Sequence, residues 1–201
     1  MRTAPTREQR KQQTRDGLVA AADRLFTRNG FHATSLDAIA DEAGYTKGAV
    51  YSNFAAKEDL FFAVYERRVR AGVEQAERHL RRAPDFATAV ERLAVDAQGR
   101  RGRDDGWLAV FFEFWAHALR HRELRERFAE LHAEAIAPLA AGLEEHARER
   151  SIELPDDARK LATAEYAMQV GLSLERLTQP DVVDPGLAAR MARLGVEGLD
   201  R

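Results

Sequence analysis

The chain has 201 residues, is 45% hydrophobic and 32% charged, and carries a net charge of −2 with no cysteine. That composition can bury the core of one large domain or two small ones, and it excludes disulfides and thiolate metal sites. Even the most apolar stretch, 107–119, contains Glu113 and His117 and is no membrane span, and the N-terminus lacks the apolar core of a secretory signal, so a cytoplasmic protein that does not enter a membrane is expected.

The first fifteen residues hold Arg2, Arg7, Arg10, Lys11 and Arg15 against Glu8. Such a segment is either a phosphate-attracting patch or a solvated tail. Beyond it, apolar residues recur at three- and four-residue spacing, and nothing reads as a strand. The spacing predicts an all-α chain of about nine helices, near 7–28, 35–43, 46–52, 57–81, 85–100, 105–120, 122–149, 156–178 and 185–199. The first helix places Leu18, Ala21, Ala22, Leu25 and Phe26 on one face and ends at Asn29-Gly30. Thr34 is positioned to cap the second helix, with Asp37 three residues on.

The segment "GYTKGAVYSNF" (44–54) predicts a helix of barely two turns with few anchoring side chains. It follows the second helix through Gly44, which tolerates a tight turn, and Ala40 is small enough for a close crossing. Thr46 is the expected N-cap and Val50 the return to the core. The outward face then carries Lys47, Gly48, Ala49, Ser52 and Asn53, with Tyr45 at its entrance. This is a helix-turn-helix whose small and polar face suits a DNA groove. Lys57 opens the fourth helix, where a cation is disfavoured unless an anion such as a phosphate is also present.

The run "TSLDAIADEAGYTKGAVYSNFAAKEDLF" resembles the N-terminal domain of tetracycline-repressor-like (TetR-like) regulators. The resemblance lies in Ile39-Ala40, Ala43-Gly44, Thr46-Lys47-Gly48, Tyr51, Phe54 and Lys57-Glu58, in order, and covers roughly residues 10–62. Tyr45 stands where the family often has a small aliphatic residue, and Asn53 where it often has histidine. The resemblance implies a helix-turn-helix domain over 1–56 and a larger helical domain over 57–201 that dimerises and binds a small ligand. It implies that Thr46, Lys47 and Tyr51 hold backbone phosphates of double-stranded DNA, with Lys57, Thr34 and Asn53. Tyr45, Gly48 and Ala49 would approach bases.

In the larger half, Trp107, Phe111, Phe112, Phe114 and Trp115 crowd one helix. Such rings are either core or the wall of a ligand cavity, which Tyr65, His132 and Tyr166 could complete. Glu113 and His117, one turn apart, are either a solvated pair or the polar anchors of that pocket. The eighth helix carries Leu161, Ala164, Met168 and Leu172 on one face and Tyr166, Val170, Leu174 and Leu177 on nearly the opposite one. One stripe is expected to face its own core. The other, with Leu187, Met191 and Leu194 of the ninth helix, is expected to face a second copy in a four-helix interface; the alternative is a helix buried within a monomer.

No histidine pattern matches a hydrolase or metalloprotease motif, and His117 and His121 are flanked by Arg120 and Arg122, so neither an enzyme, a metal nor a cofactor is expected. The expectation is a homodimeric repressor that binds a palindromic operator and is released by a small, largely apolar effector, with movement of the fourth helix changing the spacing of the recognition helices. The alternative is a helical ligand carrier or partner-binding dimer without DNA function.

Overall fold

The structure, a computed structural model, describes residues 6–103 and 105–199, with side chains at all of these except 97–103, 105 and 185. Arg2 therefore lies outside the described residues. Among the described residues the chain forms nine helices and no strand: α1 Arg7–Asn29, α2 Leu36–Ala43, α3 Lys47–Tyr51, α4 Lys57–Arg82, α5 Phe86–Arg103, α6 Asp105–Ala118, α7 Arg122–Arg150, α8 Ala158–Thr178 and α9 Pro185–Leu199. The helix boundaries follow cap chemistry. Thr6 and Gln9 form a reciprocal capping box at α1, and the Asp157 carboxylate accepts from the amides of Arg159 and Lys160 at α8. At α2 the cap is Ser35, whose hydroxyl accepts from the Ala38 amide. The expectation of Thr34 in that role is corrected, because the Thr34 hydroxyl is buried and donates to the carbonyls of Gly30 and Leu25.

The chain divides into two compact units, residues 1–68 with 106–128, and 69–105 with 129–201. This division does not coincide with the expected seam after residue 56. The start of α4 and all of α6 beyond Asp105 pack with the helix-turn-helix, because their aromatic rings make its core. In the first unit Phe61 of α4 stacks on Phe114 of α6 with ring centres 3.6 Å apart, and Phe31 meets Phe114 edge-on at 5.0 Å. Tyr65 stacks on Phe128 at 5.2 Å, and Phe111 lies 5.6 Å from Tyr65. Phe26, Phe31, Phe61, Phe62 and Phe114 are all but fully buried. The N-terminal turn of α6 rests on the last turn of α1, where a Cβ on Gly106 would run into the Thr27 carbonyl.

In the second unit α5 and α9 pack through Val90, Ala94, Ala189, Ala192 and Val196, and α7 meets α8 through Ile136, Ala140 and Ala162. The buried seam of α8 consists of Ala158, Ala162, Gln169, Val170 and Ser173. It runs between the two expected apolar stripes rather than along either of them. Small residues are required there because neighbouring helices approach closely, and the polar side chains donate to partners nearby, although the buried Gln169 Oε1 has no hydrogen-bond partner. The Gln169 amide donates to Glu165 Oε1 at 2.7 Å and to the Ala188 carbonyl at 3.1 Å, and the Ser173 hydroxyl to the Gln169 carbonyl at 2.6 Å.

Phe114 is central to the first unit's ring cluster. Phe114→Ala should cost about 3–5 kcal/mol of unfolding free energy in urea melts. A loss below about 1 kcal/mol would mean that the rings do not form one packed core.

Candidate nucleic-acid interface

Helix α3 has five residues and one buried side chain, Val50. Everything else that places it comes from behind. Gly44 ends α2 at φ +70°, the left-handed conformation that glycine adopts without a Cβ penalty, and its amide and that of Tyr45 reach back to the Ala40 carbonyl. Thr46 then caps α3, its hydroxyl accepting from the Ala49 amide at 3.3 Å. Ile39, Ala40 and Val50 are fully buried against α1. At the far end, the Arg15 guanidinium lies 4.4 Å from the centre of the Phe54 ring and donates to the Asn53 carbonyl. The entry of α3 is thereby tied to α2 and its exit to α1.

The surface left outward is small and polar. Thr46, Lys47, Gly48, Tyr51 and Ser52 are exposed, and Ala49 and Asn53 half-buried. Tyr51 is the largest exposed ring in this unit, 58% accessible. The Lys47 ammonium pairs with Asp37 at 2.6 Å, which raises its pKa. An exposed pair of this kind contributes little, so a phosphate can displace the carboxylate. Exposed Arg7, Arg10 and Lys11 continue along the same helix that holds Arg15 against α3.

Other expected residues sit differently. Tyr45 is half-buried, its ring against α1, where a Cβ on Gly17 would stand 2.9 Å from Cε2. The Asn53 amide nitrogen donates to the Ala49 carbonyl and finishes α3. Thr34 is buried and is corrected from a surface phosphate contact to a pin of the α1–α2 turn. The Lys57 ammonium donates to the carbonyls of Phe31 and His32 at 2.8 and 3.2 Å and lies over the Phe31 ring. Burial lowers its pKa, against the opposing pull of Glu58 and Glu113. The anion expected beside Lys57 is thus replaced, in the free protein, by two backbone carbonyls. Arg15 belongs to the basic N-terminal segment, but its hold on Phe54 and Asn53 is not legible in the spacing, since these partners lie nearly forty positions away.

The residues expected to line a pocket separate. Tyr65, Phe111 and Phe114 are buried in the first unit's ring cluster, which Trp107 and Trp115 join half-buried. Glu113 and His117, instead of anchoring a ligand, turn to the helix-turn-helix: Glu113 accepts from the amides of Phe31 and His32, and His117 lies 3.4 Å from Glu58. His132 and Tyr166 belong to the second unit and meet edge-to-face at 4.7 Å. Among the described residues no group of acidic and histidine side chains has the geometry to hold a metal ion, and no helix is long and apolar enough to cross a membrane.

Comparison with known proteins agrees with this geometry. Residues 18–64 match the model of bacterial regulatory proteins of the tetR family, and residues 90–201, over half of the chain, match the C-terminal model of BetI-type transcriptional repressors. The chain belongs to the TetR family. It is a transcriptional regulator with a helix-turn-helix DNA-binding domain. It is 29% identical over 190 residues to TtgR of Pseudomonas putida, covering 86% of this chain and 84% of that one. It is 36% identical over 87 residues to the transcriptional activator FasR of Mycolicibacterium smegmatis, 43% of this chain but 39% of the relative's length. In fold it is similar to SmeT, the repressor of a Stenotrophomonas maltophilia multidrug efflux pump, solved with triclosan: TM-score 0.71 at 22% identity, over 93% of this chain and 91% of that one.

Phosphate contacts position a protein without reading bases. Thr46→Ala and Lys47→Ala should therefore weaken binding to all DNA sequences nearly equally. Lys47→Ala should also flatten the salt dependence by about one unit, measured by fluorescence anisotropy across a salt series. A changed sequence preference with an unaltered salt slope would contradict this placement.

Proposed function

We propose that this regulator is a repressor that binds a palindromic operator as a homodimer and leaves it on binding a small, largely apolar effector. The observation that carries the reading is α3 itself, a helix with one buried side chain, held from behind and presenting small and polar groups with one exposed ring, Tyr51. Thr46, Lys47 and Tyr51 hold phosphates, and Gly48 and Ala49 let the helix approach base edges. Binding of the full chain to its own upstream DNA, followed by mobility shift, tests it.

The proposed dimer face is the outer side of α8 and α9. Leu174, Leu177, Met191 and Leu194 are exposed in the single chain, and Gly171, Gly195 and Gly198 have open space where a Cβ would stand. A second copy offering the same face buries this apolar surface, and a closed two-fold dimer matches a two-fold operator. Val170 and Tyr166 are corrected from that face. Val170 is 5% exposed within one chain, and Tyr166 is turned to His132. Leu187 is half-buried and sits at the edge.

The effector is placed in the second unit, near His132 and Tyr166. Burial lowers the pKa of His132 and raises that of Glu165, so both are driven towards their neutral forms. Tyr166, which packs on Ile136, Ala140 and Ala162 and meets His132 edge-on, gives an apolar ligand a few polar groups for orientation. The binding of triclosan by a protein of the same fold supports such chemistry, and triclosan is a rational first probe for release of the DNA complex.

Leu174→Glu with Leu194→Glu should give a helical monomer with lost operator affinity, since burying unpaired carboxylates at an interface costs several kcal/mol. An unchanged dimer in sedimentation would move the interface elsewhere. A second expectation concerns pH. The folded-state pKa of His132 lies below its ordinary 6.5, so the unfolded chain takes up the proton first as pH falls. The stability contributed by neutral His132 is therefore complete above 6.5 and lost progressively below it. Glu165 acts in the opposite sense, its contribution present at low pH and lost as pH rises through its raised pKa. The difference in unfolding free energy between wild type and His132→Gln, followed from pH 7.5 to 5 in urea melts, isolates the histidine; wild type should lose more stability than the variant as the pH falls.

A further inference from the structure

Phe31 and His32 form the turn that joins α1 to α2, and two oppositely charged side chains from other helices hold it. Glu113 of α6 accepts from both amides, Phe31 N to Oε2 at 2.8 Å and His32 N to Oε1 at 2.9 Å. Lys57 of α4 donates to both carbonyls. All four backbone polar groups of the two residues are thus engaged from outside the turn. Gly30 makes room for the carboxylate. Its φ is +86°, and a Cβ there would stand 2.9 Å from Glu113 Oε2. The Phe31 ring is buried between Phe26, Phe61 and Phe114, so the turn cannot swing away from α6 without breaking the ring cluster. The turn leads directly into α2, which carries α3 through Ile39, Ala40 and Val50.

A carboxylate receiving two backbone amides makes charge-assisted bonds, the strong kind. Its partners define a direction as well as a distance, because the two oxygens meet two successive amides. Apolar packing alone would permit sliding; this grip does not.

We propose that Glu113 is a positioning residue for DNA binding: by gripping both amides of the Phe31–His32 turn it fixes α2 and the recognition helix to α6, so that any displacement of α6 reaches the DNA-reading surface. The proposal rests on the DNA-binding reading above. It also reverses a simple electrostatic expectation. Removing a negative charge from a DNA-binding unit should tighten binding at long range. If Glu113 positions the recognition helix, removing the charge weakens binding instead.

The experiment uses the full chain as wild type, Glu113→Gln and Glu113→Ala, with Glu123→Gln on exposed α7 as the control for charge alone. Amide exchange by NMR reads the grip, and anisotropy titration on the upstream DNA reads its consequence, at a temperature where circular dichroism shows each variant folded. In Glu113→Ala, exchange at Phe31 and His32 should quicken about tenfold or more, with amides of α5 and α9 unchanged. DNA affinity should fall by about tenfold or more with an unaltered salt slope, because no phosphate contact is removed. Glu113→Gln keeps one acceptor and should fall between the two, while Glu123→Gln should bind as tightly as wild type or more tightly. Quickened exchange with undiminished affinity in both Glu113 variants would overturn the proposal and leave Glu113 a structural bond. Unchanged exchange would show that the grip does not exist in solution. If wild type itself binds none of the upstream DNA, it is the DNA-binding reading that fails.

Discussion

A recognition helix with one buried side chain cannot hold itself in place, and much of the first unit is arranged around that constraint. Val50 anchors the middle of α3, Gly44 and Thr46 set its entry, and Arg15 with Phe54 sets its exit. The turn at Gly44 and the Thr46 cap are local backbone interactions of about a kilocalorie per mole each, and Arg15 adds a contact from α1 nearly forty positions away. None requires side chains on the outward face. The face is thereby free to be small and polar, which is what entry into a groove demands, while stability is drawn from leucines and phenylalanines elsewhere.

The aromatic rings of α6 serve the same end. Five rings in one helix are more than a three-helix domain needs from a neighbour, unless the neighbour is part of it. Phe111 and Phe114 fill space beneath the helix-turn-helix, and Arg68 lies over Trp107 while also pairing with Asp23 of α1. This aromatic mass makes α6 a structural member of the DNA-binding unit. The charged residues on α6 act accordingly. Glu113 has His117 one turn along its own helix, yet its carboxylate meets the backbone of a distant turn whose amides apolar side chains cannot satisfy.

Much of this was legible in the sequence where the cause is local. Helix ends follow caps, Gly44 follows from the turn it makes, and the outward face of α3 follows from the spacing of Val50. Where cause and effect are distant, spacing is silent. Thr34 and Ser35 are both able to cap α2, and only the nearby carbonyls of Gly30 and Leu25 decide that Thr34 is drawn inward. Nothing in the order of residues shows that Glu113 will meet Phe31 and His32 more than eighty positions earlier. At Lys57 the sequence shows only that a cation at a helix N-terminus requires compensation; in the free protein two backbone carbonyls from a distant turn accept from it. On α8 the helical period is legible, but the seam buried within the chain lies between the two apolar stripes instead of along the one expected to face the core. The interior there selects for small size before hydrophobicity, since Ala162 and Ser173 allow a closer approach than leucine.

That selection bears on how one helix serves two surfaces. With its inward seam made of alanine, glutamine, serine and a single valine, α8 keeps Leu174 and Leu177 for the outside. The polar members of the seam can be buried because each finds a partner within the unit, Gln169 reaching both Glu165 and the Ala188 carbonyl of α9. A hydrogen bond that ties α8 to α9 also sets the relative position of the leucines and of Met191 and Leu194, which lie on the two helices it joins. A change in that bond would shift the two helices relative to each other. Directional polar bonds transmit such a change in a way that a purely apolar seam, indifferent to small slides, would not.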